Sequence, residues 1–528
     1  MELVAPAGNL EKLKYAYTYG ADAVYIGLKK FSLRIKADNF YEDEYKTITE
    51  LKKQFPGKKL FCALNISFHN KDIDNFLSEL DYFRAYPIDS FIVQDIGMVP
   101  VLQKNFPNAA LHLSTQANCI NREAVKMYKS LGFKRVVLGR ETSLAEIREI
   151  KDYVPEMELE CFAHGAMCIS YSGRCLMSAY LTGRSANAGF CSHTCRWNFS
   201  VGEAKDLAES GKLYLTEEKR KDEHFPVFEG ENFTAVLSSK DLCMIDHLDD
   251  MKKAGVDSLK IEGRMKSLYY VAMTTRAYRK AIDALEGRIS QEDAAPYIAE
   301  LYKASHREFG TGFYYSREDA DITTVGESSS DYELAATIGA PLSAEETQEI
   351  CKKGAELEAQ FKARLDAMHP EAKAAKLKDY ADHPDKVPHA CCCTGSGSAS
   401  ATAPAGNASS ATPKLYVCNA LNRIDEKTYV EYVGPDCTGN PDTDFRFVDP
   451  ETGCFTPFIS HNQAYLLYTD KPVQENWIIR TRAADTTGAP QNCRTRATDN
   501  CTQTNNTRAA TNSTQATART AETTGGAR

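Results

Sequence analysis

Short apolar runs recur through the first 165 residues, each separated from the next by a stretch with helical spacing of its apolar positions. The runs cover residues 2–5, 23–27, 60–65, 90–95, 110–115, 135–139 and 158–165. Their length and continuous apolarity predict strands buried on both faces. Between them lie NLEKLKYAYTYGA, DEYKTITELKKQF and NREAVKMYKSLGF. In the first of these Leu10, Leu13, Ala16 and Tyr17 share one helical face, with Glu11, Lys12 and Lys14 elsewhere. Strand then helix, repeated, predicts a parallel sheet with right-handed crossovers. The rhythm stops after Gly165, and a polar stretch runs from about Val201 to Asn232. It resumes with TAVLSSKDL, a helix in DLCMIDHLDDMKKAG, a strand over 258–263 and a helix in SLYYVAMTTRAYRKAIDAL. About eight parallel strands predict an α/β fold, a TIM-like (β/α) barrel over residues 1–290 with a Cys-rich insertion over 164–233. Residues 234–237 compete for a place among the strands.

Beyond the barrel the pattern changes. Residues 291–342 predict a connecting helix and the start of a C-terminal module. Residues 343–378 read as one long, charged, solvated helix. A Gly/Ser/Ala/Pro linker follows and completes an insert over 343–413. Residues 414–482 alternate apolar and polar positions and predict a small β-domain, a barrel or a sandwich. The Thr-, Ala- and Asn-rich tail over 483–528 is expected to be disordered.

The 528 residues and 43% hydrophobic content suit a globular chain of more than one domain. A net charge of −9 excludes a uniformly basic nucleic-acid binder, so any such contact needs a local basic patch. The start, MELVAPAGNLEKLKY, lacks the pattern of a secretory signal, and no apolar stretch approaches the roughly 20 residues that span a bilayer. A cytoplasmic location and no membrane partner are expected. In that setting the 17 cysteines do not suggest a disulfide framework. Cys62 and Cys119 sit in apolar runs and read as core.

Four other cysteines share one segment, HGAMCISYSGRCLMSAYLTGRSANAGFCSHTCRW: Cys168, Cys175, Cys191 and Cys195, spaced C-x6-C-x15-C-x3-C. Glycines between them allow tight turns that bring separated sulfurs together. Converging thiolates call for an iron–sulfur cluster or zinc. Only Cys191 and Cys195 form a zinc-like knuckle, so the spacing favours the cluster, with a zinc staple as the alternative. Cys243 is an alternative to Cys195 as fourth ligand.

In a TIM barrel, chemistry sits at the carboxyl ends of the strands. Asn65, Gln94, Asp95, Ser114, Thr115, Gln116, Arg140, Glu141 and His164 fall there, and Lys260, Glu262 and Arg264 lie on or after the last strand. The candidate catalytic residues are Lys260, Glu262, Arg264 and His164. Gln94, Asp95, Arg140 and Arg196 are the candidate substrate contacts. Arg140 suits an anion because guanidinium forks onto carboxylate or phosphate. Bland roles compete: ion pairing for Lys260 and Glu262, a turn for His164, a helix cap for Gln94 and Asp95. Arg174, Arg184, Arg196, Lys260, Arg264 and Lys266 are interleaved with Tyr171, Tyr180 and Trp197, a mixture that suits phosphates and unstacked bases. No H-E-x-x-H or G-x-S-x-G motif points to proteolysis.

The cysteine segment, the opening ELVAPAGNLEKLKYAYTYGADAVYIG and SLKIEGRMKSLYYVAMTTRAYRKAID together resemble the bacterial U-class collagenase-like peptidase family. The resemblance covers about residues 1–320 and weakens beyond. It implies a [4Fe–4S] cluster on the four cysteines. It further implies hydroxylation of carbon five of the wobble uridine of tRNA, with the small carboxylate prephenate as co-substrate. Siblings in the family act on ribosomal RNA or a quinone precursor, and the family name leaves a collagenase-like peptidase as the alternative.

Overall fold

The computed structural model describes residues 1–28, 31–32, 40, 43–168, 170–187, 190–195, 239–316, 330–383, 386–391, 414–461 and 463–482. It gives the backbone alone at Ala188, Arg196, Phe199–Glu203, Leu213–Glu217 and His224–Pro226. Strands β1 (Glu2–Pro6), β2 (Ala23–Ile26), β3 (Lys59–Leu64), β4 (Ser90–Val93), β5 (Ala110–Leu113), β6 (Arg135–Val137), β7 (Glu158–Ala166) and β8 (Ser258–Ile261) pair in parallel and in chain order. β8 also pairs with β1, which closes the sheet into the expected TIM-like barrel. These strands fall on the eight apolar runs.

Helices follow the strands on the outside. Several of their starts are set by side chains that accept backbone N–H groups no earlier turn can satisfy. Asn9 and Asn121 accept from Lys12 and Ala124 at 3.0 and 2.9 Å, and Ser143 with Glu146 forms a capping box. Between β7 and β8 the strand Asp241–Cys243 runs antiparallel to the end of β7. The stretch read as merely polar contains a three-stranded antiparallel sheet in the described backbone.

The second module is an open antiparallel sheet rather than a barrel. β9 (Tyr332–Pro341) lies in its middle, between β10 (Leu415–Ala420) and Ile478–Arg482. Residues 343–378 form two helices, Ala344–Asp366 and Pro370–Asp382, not one. Pro370 has no N–H to donate backwards, so it restarts a helix instead of continuing one. The first of these helices is not wholly solvated: Ile350 packs with Cys391, Leu415, Val448 and Leu466 on the sheet. The sheet is fixed to outer helices of the barrel. Arg276 donates to the carbonyls of Gly434 and Cys437 at 2.5 and 2.6 Å, and the Tyr19 hydroxyl to that of Val433 at 3.1 Å. Buried Arg480 is ion-paired to Glu300 and Glu431. The expectations for residues 234–237, 392–413 and 483–528 lie outside the described residues. Among those described, no helix is long and apolar enough to cross a membrane.

Candidate functional site

Side chains two apart on a strand share a face, so Glu160 and Phe162 of β7 and Lys260 and Glu262 at β8 point into the barrel. Phe162, Lys260 and Glu262 help to form a cavity of about 60 Å³ at its carboxyl end, lined also by Asn65, Ser114, Gln116, Arg140 and Arg264. Arg140 Nη2 lies 3.2 Å from Glu262 Oε2, and its guanidinium stacks 3.8 Å over the Phe162 ring. Arg264 is buried, with Nη1 3.1 Å from Ser32 Oγ. A Cβ on Gly27 would stand 2.1 Å from that nitrogen, so only glycine leaves it room. Lys260 forms part of the floor. Its Nζ is 2.6 Å from Glu160 Oε1 and 4.3 Å from the centre of the Tyr25 ring. Burial opposes ionisation of Glu160, yet Lys260 and Arg135 carry its carboxyl down to about 2.

A second cavity, of about 340 Å³, adjoins the first. Cys168, Cys175, Cys191 and Cys195 all line it, with Met167, Tyr171 and His193, and it shares Gln116, Arg140 and Glu262 with the barrel mouth. The cysteine segment is held down by Glu141, which accepts from Ser172 N and Ser172 Oγ at 3.0 Å each and from Asn118. Gly173 adopts a φ of +73°, and a Cβ there would stand 2.0 Å from the Gln116 carbonyl oxygen. The segment therefore lies directly on the turn Thr115–Ala117 that follows β5.

Among the described residues, no three His, Cys, Asp or Glu side chains converge on a single-ion site. One zinc ion draws four sulfurs to about 2.3 Å from a common point. A four-iron cluster takes one thiolate per iron around its outside, so four thiols bordering one cavity fit its donor set. Cys243 does not line that cavity. It lies in the wall strand Asp241–Cys243, with Sγ 3.8 Å from the Tyr278 hydroxyl, and burial pushes its thiol up to about 11.

Several other candidates stand elsewhere. His164 lines neither cavity. A register shift between Lys260 and Ile261 pairs Phe162 with Lys260 but His164 with Ile261, so the bulge turns the imidazole outward. It packs against Tyr270, Tyr278 and Phe309. Gln94 and Asp95 brace loops: Gln94 Nε2 donates to Ser67 Oγ at 3.2 Å, and Asp95 accepts from Phe68 N and Gly97 N at 3.3 and 2.9 Å. Asp95 thereby closes a turn just ahead of helix Met98–Asn105, whose N-cap, Gly97, receives no side-chain cap, so neither residue takes the expected capping role. The Arg196 side chain and Trp197 lie outside the described residues. Ser172 and His193 were missed because strand ends cannot reveal residues of an insertion; their signal was their place among the cysteines. Glu160 and Arg135 were signalled by charge inside apolar strand runs.

A closed parallel barrel whose carboxyl end opens on a thiol-lined cavity defines a TIM-barrel protein with a cysteine insertion. Peptidase family U32 matches residues 8–324, and the chain belongs to that family. It is similar to tRNA hydroxylation protein P of Escherichia coli (strain K12), 38% identical over 358 residues, 62% of this chain and 78% of that protein. It is 40% identical over 330 residues to tRNA hydroxylation protein P1 of Bacillus subtilis (strain 168), 62% of this chain and 74% of that one. The 23S rRNA 5-hydroxycytidine C2501 synthase of Escherichia coli (strain K12) is 34% identical over 329 residues, 61% of this chain and 46% of the synthase.

Proposed function

We propose that the protein is an RNA hydroxylase that acts on carbon five of the wobble uridine of tRNA, where the cysteine cavity meets the barrel mouth. The observation that carries this reading is the sharing of Gln116, Arg140 and Glu262 by the two cavities. The relatives named for tRNA and rRNA hydroxylation support the class of reaction. The cysteine cavity, about 340 Å³, has room for a base flipped out of its stack. The mouth cavity, about 60 Å³, suits part of a small carboxylate such as prephenate. Cys168, Cys175, Cys191 and Cys195 would hold a [4Fe–4S] cluster, which when bound supplies one-electron redox chemistry. Arg140, held flat over Phe162, orients the carboxylate, and Arg264 fixes it from the other side. Glu262 stands between base and carboxylate and moves a proton there. Lys260, tied to Glu160, serves as floor. The protein works in the cytoplasm, where its substrate is.

The test combines anaerobic purification with mass spectrometry of tRNA nucleosides. Iron and sulfide should co-purify with the protein, and Cys175→Ser should remove both the metal and tRNA 5-hydroxyuridine from cells. Zinc in place of iron ends the cluster assignment. Normal tRNA beside rRNA that has lost a hydroxylated base transfers the activity to rRNA. Peptide cleavage by metal-free protein would restore the peptidase reading.

A further inference from the structure

The cysteine segment turns an apolar face outward. Among the described residues, Leu176 and Tyr180 are the two most exposed large apolar side chains, at 76% and 85%. They lie four residues apart at the start and in the body of helix Met177–Thr182, so they share one side of it. The opposite side is anchored: Ser178 is buried, donates to the Arg184 carbonyl at 2.7 Å and accepts from Ser192 N at 3.0 Å. Tyr171, 59% exposed on the same segment, lines the cysteine cavity. Arg174 and Arg184 are exposed on the same segment and form no ion pair among the described residues. Apolar patches of this kind mark contact sites. Unpaired cations beside this one select a partner with negative charge. Flat rings next to guanidinium groups fit unpaired nucleotides, whose base faces are free and whose phosphates are close by. A paired duplex offers the phosphates without the free faces.

We propose that Leu176, Tyr180 and Tyr171 form a stacking platform for the unpaired nucleotides beside the base that enters the cysteine cavity. Arg174 and Arg184 take their phosphates. The platform rests on the RNA reading above and adds to it: the substrate is recognised as a single-stranded loop, outside the reacting site.

Binding is measured with the full chain and two probes, a short RNA hairpin with a uridine-containing loop and a fully paired duplex of similar length. Tyr180→Ala should weaken hairpin binding about tenfold and leave duplex binding unchanged. Tyr180→Phe, which keeps the ring, should bind the hairpin as the unaltered protein does. Arg184→Gln should weaken both probes and lower the salt dependence by about one counterion. Hairpin binding unaffected by Tyr180→Ala overturns the platform alone, as does equal loss in Tyr180→Phe. An unaltered protein that binds neither probe overturns the RNA reading as well. A dimer that dissociates on Tyr180→Ala assigns the patch to a second copy of the chain and overturns the platform.

Discussion

His112 and His164 are almost completely buried, and burial drives each imidazole down to about 3. Neighbouring Arg135 adds to this at His112, while Asp241 works against it at His164. In the unfolded chain both groups bind a proton near pH 6.5. Their preference for the neutral form thus stabilises the fold fully above that pH, and the contribution is lost as pH falls from about 6.5 towards 3. At pH 5 the loss is about 2 kcal/mol for each group. Glu160 acts in the same direction at lower pH: its stabilising effect holds above 4.5 and fades as pH falls to about 2. The urea midpoint should therefore drop between pH 7 and pH 5. His164→Phe should remove about one proton from that dependence while tRNA hydroxylation persists, because the ring lines neither cavity. An unchanged slope would show that the imidazole is charged in the fold.

Within the strands, the pair Lys260–Glu160 spans neighbouring β8 and β7 inside the barrel. Lys260→Met should cost roughly 1.5–3 kcal/mol in urea denaturation, the worth of a hydrogen bond to a charged group. Arg135 still pairs Glu160 in that variant, so adding Glu160→Gln removes a buried carboxylate left with one of its two cations and should recover part of that stability together with tRNA hydroxylation. Recovered stability without hydroxylation would give Lys260 a chemical role. The barrel strands were legible because strands buried on both faces write themselves as uninterrupted apolar runs. The four cysteines were legible as one thiol-rich segment, and Arg140 and Glu262 as polar groups at strand ends. The direction of His164 was not: one extra residue in a ladder leaves no mark on composition, yet it turns every side chain beyond it. Nor did strand-end position reveal that Gln94 and Asp95 fold back onto loops, since short polar side chains choose between substrate and nearby backbone only once the turn exists. The break at Pro370 was written in the sequence and overridden by the charge pattern around it.

Across the whole molecule, β9 and β10 are antiparallel neighbours separated by the helical insert. Pro341 pairs with Tyr416, and Leu342 N donates to the Leu415 carbonyl at 2.8 Å, so the two ends of the insert meet. Asn-Gly joining Leu342 to Leu415 should preserve barrel and sheet, because such a turn matches strand twist. The thermal midpoint should fall, since Ile350 no longer covers Val448 and Leu466; aggregation in place of a folded product would make the insert a required part of the sheet. The same layout governs how the chain emerges from the ribosome. All eight barrel strands precede the insert, whereas both neighbours of β9 follow it. The nascent barrel can close early, but helix Leu268–Leu285, with buried Arg276, must wait for the carbonyls of Gly434 and Cys437. In that interval a half-made sheet and a bare helix face are open to chaperones, and trimming the outgrowth would shorten the exposure.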